Sequence, residues 1–123
     1  MKTMHFVSAD EAVSHIPSHF HIHLSSVASV PHCLISALCR RADAGDVRDL
    51  HFHHFHTEGP APYSEPRYEG IFFEQGFFVG PNVRKNVNSG YADYLPVHLG
   101  ESQKLYRDGA IRLGAALVNI SLP

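Results

Sequence analysis

Features that would indicate a particular partner or compartment are scarce in this sequence. Ten Lys and Arg against twelve Asp and Glu leave a formal charge of −2, too small and too mixed to indicate nucleic acid, a membrane surface or a polyanionic substrate as partner. A run of 18 apolar residues, which a transmembrane helix needs, is absent, and the start of the chain lacks the long apolar core of a signal peptide. We therefore expect a soluble cytoplasmic protein.

Cysteine is also scarce. Cys33 and Cys39 fall six positions apart in one predicted helix, which separates them by about 9 Å along its axis. A disulfide needs Cα atoms within roughly 7 Å, so the sequence predicts two reduced thiols, in keeping with the cytoplasm.

The first half of the 123 residues alternates helix and strand signals. Ser8 and Glu11 form a capping box before a short helix that Pro17 ends. Residues 20–24 alternate apolar and histidine side chains, a period typical of a strand. Pro31 opens a helix with an apolar stripe that Gly45 stops.

The second half continues the alternation. Strands are predicted over residues 50–55, 77–79, 94–99 and 115–120, a short helix before Gly90, and a helix over residues 101–108 that Gly109 ends; residues 58–70 are predicted to be an irregular loop. This order predicts right-handed βαβ crossovers. The fold class is a single α/β domain over residues 1–123, with an open, mainly parallel sheet and helices on both faces.

Eleven histidines raise the hypothesis of a metal site, most sharply in His51-Phe-His-His-Phe-His56. On a strand, His51 and His53 share one face and His54 and His56 the other. Two ligands per face do not complete a tetrahedral zinc site. The alternative is a strand whose histidines bond neighbouring backbone or line a crevice.

Two segments are candidates for ligand binding. Residues 58–63 follow a strand at the carboxyl edge of the predicted sheet, where open α/β folds bind ligands. Residues 76–82 place Asn82 near a helix N-terminus, although the Gly-Lys-Ser/Thr ending of a phosphate loop is missing. For both segments the alternative is a structural turn. Glu101 is predicted to cap a helix, and the sequence offers no nucleophile with a base and an orienting partner.

Three segments together resemble a known family. They are GFFVGPNVRKNVNSGYADYLPVHLGE over residues 76–101, TEGPAPY over residues 57–63 and AALVNISLP over residues 115–123. The chain resembles the N-terminal part of the acetyl-CoA hydrolase/transferase family, most closely its 4-hydroxybutyrate CoA-transferase-like members.

The resemblance implies a ping-pong CoA transfer between short acyl-CoA esters and carboxylates such as acetate or 4-hydroxybutyrate, in which a glutamate becomes a glutamyl-CoA thioester. Family members have two related α/β domains, with this glutamate and the glycine-rich CoA-binding segment in the second. No catalytic residue is therefore assigned here. The first domain contributes the acyl side of the cleft, so the substrate-binding candidates are Glu58, Gly59, Pro60, Tyr63, Gly80 and Asn82.

Further expectations about partners follow. The resemblance implies that full-length family members use coenzyme A as part of their acyl-CoA substrate. We expect no bound cofactor and no metal in this chain. The abrupt end at Pro123 suggests a truncated chain whose missing partner is the catalytic C-terminal domain. We expect this chain to be inactive alone. An uncovered apolar face would favour homo-oligomers. The alternatives are a stand-alone module that binds a small molecule or a partner, and a histidine-rich metal-binding protein.

The chain departs from the family pattern at two places. His19-Phe20 stands where relatives usually carry a glycine turn between the first helix and the first strand. Gly114 stands where an aspartate commonly precedes the last strand. The turn geometry at His19-Phe20 is therefore expected to differ from that of the relatives, and a polar contact is expected to be missing at Gly114.

Overall fold

The computed structural model describes residues 5–121 as alternating helices and strands. The helices are α1 (Ala9–Ser14), α2 (His32–Asp43), α3 (Arg84–Asn88) and α4 (Ser102–Arg107). The strands are β1 (His21–Leu24), β2 (Leu50–His54), β3 (Phe72–Gly76), β4 (Ala92–Tyr94) and β5 (Leu113–Leu117). Single turns of 3₁₀ helix lie at Pro62–Ser64, Pro66–Tyr68 and Leu99–Glu101.

The strands form one sheet in the order β4-β3-β2-β1-β5, and every neighbouring pair is parallel. The chain first moves outward from β1 to β4, then returns past β1 to add β5. The predicted α/β class with a parallel sheet is therefore confirmed.

The hydrophobic core lies between one face of the sheet and helices α1 and α2. Ile22, Leu24 and Phe52 on that face are fully buried, as are Ile35 and Leu38 on α2. Burying an aliphatic or aromatic side chain of this kind away from water stabilises the fold by about 1.5–3 kcal/mol. This packing holds the helices against the sheet that carries the site.

Polar contacts secure the first helix. The Ser8 hydroxyl accepts a hydrogen bond from the Glu11 amide at 3.1 Å, as the predicted capping box requires. At the other end, Arg41 Nη1 donates to the carbonyls of Val13 at 2.6 Å and Ile16 at 2.7 Å. These bonds give side-chain partners to carbonyls at the end of the helix, where the regular backbone pattern stops.

Several predicted boundaries are wrong. The third strand is Phe72–Gly76 rather than residues 77–79, the fourth is Ala92–Tyr94 rather than 94–99, and the fifth is Leu113–Leu117 rather than 115–120. The third was missed because Glu74 lies buried inside it, and a carboxylate in mid-strand reads as solvent-facing. The irregular loop also contains the two 3₁₀ turns between residues 62 and 68.

Candidate functional site

The carboxyl ends of β1, β2 and β3 meet at one edge of the sheet, and the segments that follow them form the candidate site. Val27 and Thr57 make an isolated parallel bridge beyond the ends of β1 and β2. The Val27 amide donates to the His56 carbonyl at 2.9 Å, and the Ser26 hydroxyl accepts from the Phe55 amide at 2.9 Å. These bonds extend the sheet into the site.

A partly buried polar network connects the two predicted binding segments. Thr57 is 1% exposed, and its hydroxyl lies 2.8 Å from the Tyr63 hydroxyl. Asn82 donates from Nδ2 to the Thr57 hydroxyl and to the Gly59 carbonyl, both at 3.1 Å. The network therefore holds the loop after β2 against the turn after β3.

Two glycines allow this close approach. Gly59 has a φ of +78°, a left-handed conformation that glycine adopts without strain. A Cβ on Gly80 would lie 2.9 Å from Asn82 Oδ1 and 3.3 Å from the Thr57 carbonyl oxygen. A side chain at Gly80 would therefore separate the two segments.

The structure brings the predicted site residues to one edge but gives them different roles. Gly59, Gly80 and Asn82 meet in the network, whereas the Glu58 carboxylate is mostly exposed and lies 3.8 Å from His56 Nε2. Pro60 is exposed. Tyr63 is 3% exposed, so it lies beneath the surface of the site and contacts the Thr57 hydroxyl from the protein interior.

Two adjoining depressions border the network. The first, about 310 Å³, is called the polar depression because it borders the network, although its exposed lining is mostly apolar. It is lined by His56, Thr57, Glu58, Gly59, Pro81 and Asn82. The second, about 520 Å³, is mostly apolar and is lined by Ser26, Val27, Phe55, His56, Phe78, Val79, Gly80, Pro81 and Leu99. His56 and Pro81 belong to both, so a ligand with one polar and one apolar end fits across them.

Sequence reasoning missed Thr57 and Val27 as site residues. Thr57 carries no pattern that predicts its burial, because its partners lie 6 and 25 positions away. Val27 has a φ of 56°, which is a marked outlier for a β-branched residue. Strained backbone of this kind is concentrated at functional sites.

The electrostatics of the site are set by burial. Burial, then the charge of Glu74, raises the pKa of Tyr63 far above its usual value, so its hydroxyl stays protonated. Glu74 is itself buried and its two oxygens contact His54 Nε2 at 2.9 Å and the Ser64 hydroxyl at 2.8 Å. This second network anchors the 3₁₀ turn that carries Tyr63.

Four other histidines line the opposite face of the sheet, which we call the histidine face: His21, His23, His51 and His53. His21 stacks on His51 with ring centroids 4.4 Å apart and its Nδ1 lies 2.7 Å from His53 Nε2. His23 bonds the Tyr106 hydroxyl at 2.9 Å. The predicted facing of His51 and His53 is thus confirmed, but their partners are side chains rather than backbone.

The histidines are not grouped as metal ligands. Across residues 5–121, no set of three or more His, Cys, Asp or Glu side chains is placed to hold a metal ion. Glu101, the predicted helix cap, stands at the N-cap position of α4 without a capping bond from its side chain. Its carboxylate instead accepts from Lys104 Nζ at 3.1 Å.

Similarity to known proteins extends over nearly the whole chain. Residues 3–120 match the sequence profile described as acetyl-CoA hydrolase/transferase N-terminal domain. The chain belongs to this family. The family resemblance expected from the sequence is thus confirmed, and the match includes both predicted binding segments.

Two curated relatives are CoA transferases. One is the succinyl-CoA:acetate/propanoyl-CoA:succinate CoA transferase of Fasciola hepatica, 32% identical over 94% of this chain and 24% of that protein. The other is the 4-hydroxybutyrate coenzyme A transferase of Clostridium kluyveri, 30% identical over 95% of this chain and 27% of that protein. The chain thus spans about a quarter of the length of these relatives.

Solved structures support the fold. RipA from Yersinia pestis is 23% identical, with a TM-score of 0.76 over 91% of this chain and 28% of that chain. A RipA variant reaches a TM-score of 0.79 at 24% identity. Separately, none of the helices between residues 5 and 121 has the length and hydropathy of a membrane span.

Proposed function

We propose that this chain is the N-terminal domain of a CoA transferase that moves CoA between short acyl-CoA esters and carboxylates such as acetate or 4-hydroxybutyrate. The observation that carries the proposal is the joined pair of depressions at the sheet edge, built by segments that the family profile covers. The names of the two transferase relatives support the reaction class.

We assign the polar depression to the carboxylate or thioester carbonyl of such a substrate. Asn82 already donates from Nδ2 to Thr57 and to Gly59, so its part is to hold the turn. Asn82 fixes the Gly59 carbonyl, and Thr57 fixes Asn82, so the turn is held before a ligand arrives. A preorganised polar pocket costs less ordering on binding than a mobile one. Of the predicted site residues, Gly59 and Asn82 line this depression with the exposed Glu58, whereas Gly80 lines the apolar depression.

The apolar depression suits the acyl chain. Val27, Phe78 and Leu99 are 43%, 42% and 63% exposed, so they offer a surface that a short alkyl chain would shield from water. Each CH₂ group transferred from water contributes about 0.8 kcal/mol of binding free energy. The depression should therefore bind a substrate with a short alkyl chain more tightly than a carboxylate that has none. The sizes of these three side chains would then determine which acyl-chain lengths fit.

Catalysis itself is proposed to need more of the protein than this segment. Glu58 is exposed, Glu74 is paired in the core, and Glu101 is paired on the surface of α4. We therefore assign the nucleophilic glutamate to the part of the transferase that corresponds to the remaining length of the relatives, and we expect this chain to be inactive alone.

The test is a chimera in which this chain replaces the matching segment of the Clostridium kluyveri enzyme. CoA transfer from butyryl-CoA to acetate and to 4-hydroxybutyrate is measured for the chimera and for the 123-residue chain alone. We expect turnover by the chimera only. Turnover by the chain alone, with a CoA adduct on Glu58 or Glu101 by mass spectrometry, would overturn the assignment.

Variants of the chimera locate the site. Asn82→Ala should raise KM for the carboxylate about tenfold, the effect of losing roughly 1.4 kcal/mol of binding. Asn88→Ala, an exposed position on the neighbouring helix, is the matched control and should leave KM unchanged. Equal effects at both positions would show that the polar depression does not bind the substrate.

A further inference from the structure

The two depressions offer a bound ligand very few side-chain hydrogen-bond donors. In the part of the chain that the structure describes, neither depression is lined by Lys or Arg. The polar side chains among the lining residues are those of Ser26, His56, Thr57, Glu58 and Asn82. A substrate carboxylate carries a negative charge and only accepts hydrogen bonds. Its recognition by a side chain therefore needs a donor among these five residues.

Three of the five side chains are already committed within the protein. Asn82 Nδ2, which carries two hydrogens, donates to two partners in the network at 3.1 Å each. Thr57 is 1% exposed, and its hydroxyl contacts that of Tyr63. The Ser26 hydroxyl donates to the Leu24 carbonyl at 3.5 Å. None of these three groups has a donor left for a ligand in the depressions.

His56 is the donor that remains. Its Nε2 lies 3.8 Å from Glu58 Oε1, which is beyond hydrogen-bond distance, and the ionised Glu58 carboxylate itself can only accept. The His56 side chain is 34% exposed and lines both depressions. An imidazole ring that can donate to a ligand therefore stands where the polar and the apolar depressions meet.

The neighbouring backbone holds the base of this side chain in place. The His56 carbonyl accepts from the Val27 amide at 2.9 Å, and the next residue, Thr57, is bridged to Val27. A Cβ built on Gly80 would lie 3.6 Å from the His56 Cβ, so the turn after β3 packs closely against the base of the ring. Because the base is fixed, little ordering of the protein is needed when a ligand binds.

A single side-chain donor suits a ligand with a single carboxylate. Beyond His56, the apolar depression is lined by side chains such as Val27, Phe55, Phe78 and Leu99, and none of these can pair with a second negative charge. Moving an ionised carboxylate from water into such surroundings without a partner is strongly disfavoured. The site should therefore reject the distal carboxylate of a dicarboxylic acid.

We propose that His56 binds the substrate carboxylate, and that the site around it accepts monocarboxylic acids and their acyl groups and excludes dicarboxylic ones. The imidazole donates to the carboxylate or to the thioester carbonyl, and the alkyl chain extends over Phe78 toward Leu99. The proposal rests on the proposed function for the class of ligand, and it adds the binding residue and the limit of one carboxylate. The Fasciola hepatica relative is named for succinyl-CoA and succinate, so this limit would distinguish the two proteins.

The chimera described above is assayed with acetyl-CoA as donor and with butanoate or succinate as acceptor, acids of equal chain length that differ in the second carboxylate. We expect KM for succinate to exceed KM for butanoate by about tenfold or more. His56→Leu should raise KM for butanoate about tenfold and leave kcat within about twofold, because the contact is made equally in the bound state and in the transition state. His56→Arg should restore KM, since a guanidinium also donates to a carboxylate.

Two further variants separate the site from general effects. His15→Leu, at an exposed position at the end of α1, removes a histidine that lines neither depression and should leave KM unchanged. Leu99→Lys places a cation at a residue of the apolar depression that is 63% exposed, and it should lower KM for succinate about tenfold. Unchanged KM in His56→Leu, or equal KM for butanoate and succinate in the unmodified chimera, would overturn the inference and leave the proposed transferase function intact.

Direct binding decides the question if the chimera is inactive. The chain itself, with isotope-labelled histidines, is titrated with butanoate and with succinate at constant ionic strength, and NMR follows the ring signals of His56 and of His15 as reference. A saturable shift of the His56 signal with butanoate but not with succinate supports the binding role, and the transferase function alone would then fail. No shift at the highest butanoate concentration, or equal shifts with both acids, overturns the inference.

Discussion

A methyl group added at Gly114 should destabilise this fold through one neighbour, Phe20. A Cβ built on Gly114 would lie 2.6 Å from Cε2 and 2.7 Å from Cγ of the Phe20 ring, distances that real Cβ atoms do not show. Phe20 packs against the hydrophobic core, so its ring cannot move aside freely. The two departures from the family pattern, at positions 20 and 114, are therefore in contact.

The magnitude follows from the packing. Forcing a methyl group into a well-packed site costs about 1–3 kcal/mol, which we expect for Gly114→Ala. Phe20→Ala alone should cost about 1–2 kcal/mol, since the ring is only half-buried. With Phe20 removed, Gly114→Ala should be neutral or stabilise by roughly 0.5–1 kcal/mol, because glycine weakens a strand relative to alanine. The predicted coupling between the two substitutions is about 2 kcal/mol.

Urea unfolding of the wild type, both single variants and the double variant measures this coupling. Gly100→Ala is the matched control, because a Cβ there would meet nothing within 4 Å. The reasoning is refuted if Gly114→Ala costs the same free energy with and without Phe20, or if it is as harmless as Gly100→Ala.

Three further predictions concern pH, the buried network and backbone strain. Burial, followed by the charges of neighbouring histidines, lowers the pKa of His53 from 6.5 to about 3. Between these pH values the unfolded chain binds a proton that the folded chain does not. The free energy of unfolding therefore falls as the pH drops. From pH 6.5 to 4.5 the loss through this residue should be about 2–3 kcal/mol; His53→Gln should remove it and His32→Gln should not, as urea unfolding at each pH would show. Thr57→Val leaves the buried Tyr63 hydroxyl without its partner and should cost about 1–3 kcal/mol, whereas Thr57→Ser should cost less; equal costs would contradict the role of the hydroxyl. Val27→Asn should stabilise by about 1 kcal/mol, since asparagine tolerates a left-handed backbone better than valine, and a lower melting temperature would contradict the strain at that residue.

Much of the fold could be predicted from local pattern. The alternation in residues 20–24 and the apolar stripe after Pro31 correspond to β1 and α2, because in both elements burial follows the period of the backbone. The third strand could not be placed, since Glu74 is tolerated inside it only through His54, 20 positions away, and Ser64, 10 positions away. Contacts at such separations leave no periodic signal.

The site was predictable in position but less so in detail. Residues 58–63 and 76–82 could be placed at the carboxyl edge because the order of strands and helices fixes where the loops of a parallel sheet lie. The role of Tyr63 as a buried support could not, since it depends on a hydroxyl contact with Thr57. The positive φ of Val27 was hidden for a different reason, because valine is among the residues least expected to adopt it.

The histidine face shows why an abundance of histidine need not indicate a metal. The register of β1 and β2 sets His21 opposite His51 and His23 opposite His53, and like charges directly opposite each other across paired strands are destabilising. Burial lowers the pKa of His21, His23 and His53, which favours neutral rings at these three positions. His21 stacks on His51 and bonds His53. Neutral imidazoles at His21, His23 and His53 therefore keep this face polar without repulsion between the paired strands. Acidification should therefore weaken the fold, and urea unfolding of the wild type and of His53→Gln between pH 6.5 and 4.5 would show how much of the loss arises at this buried ring.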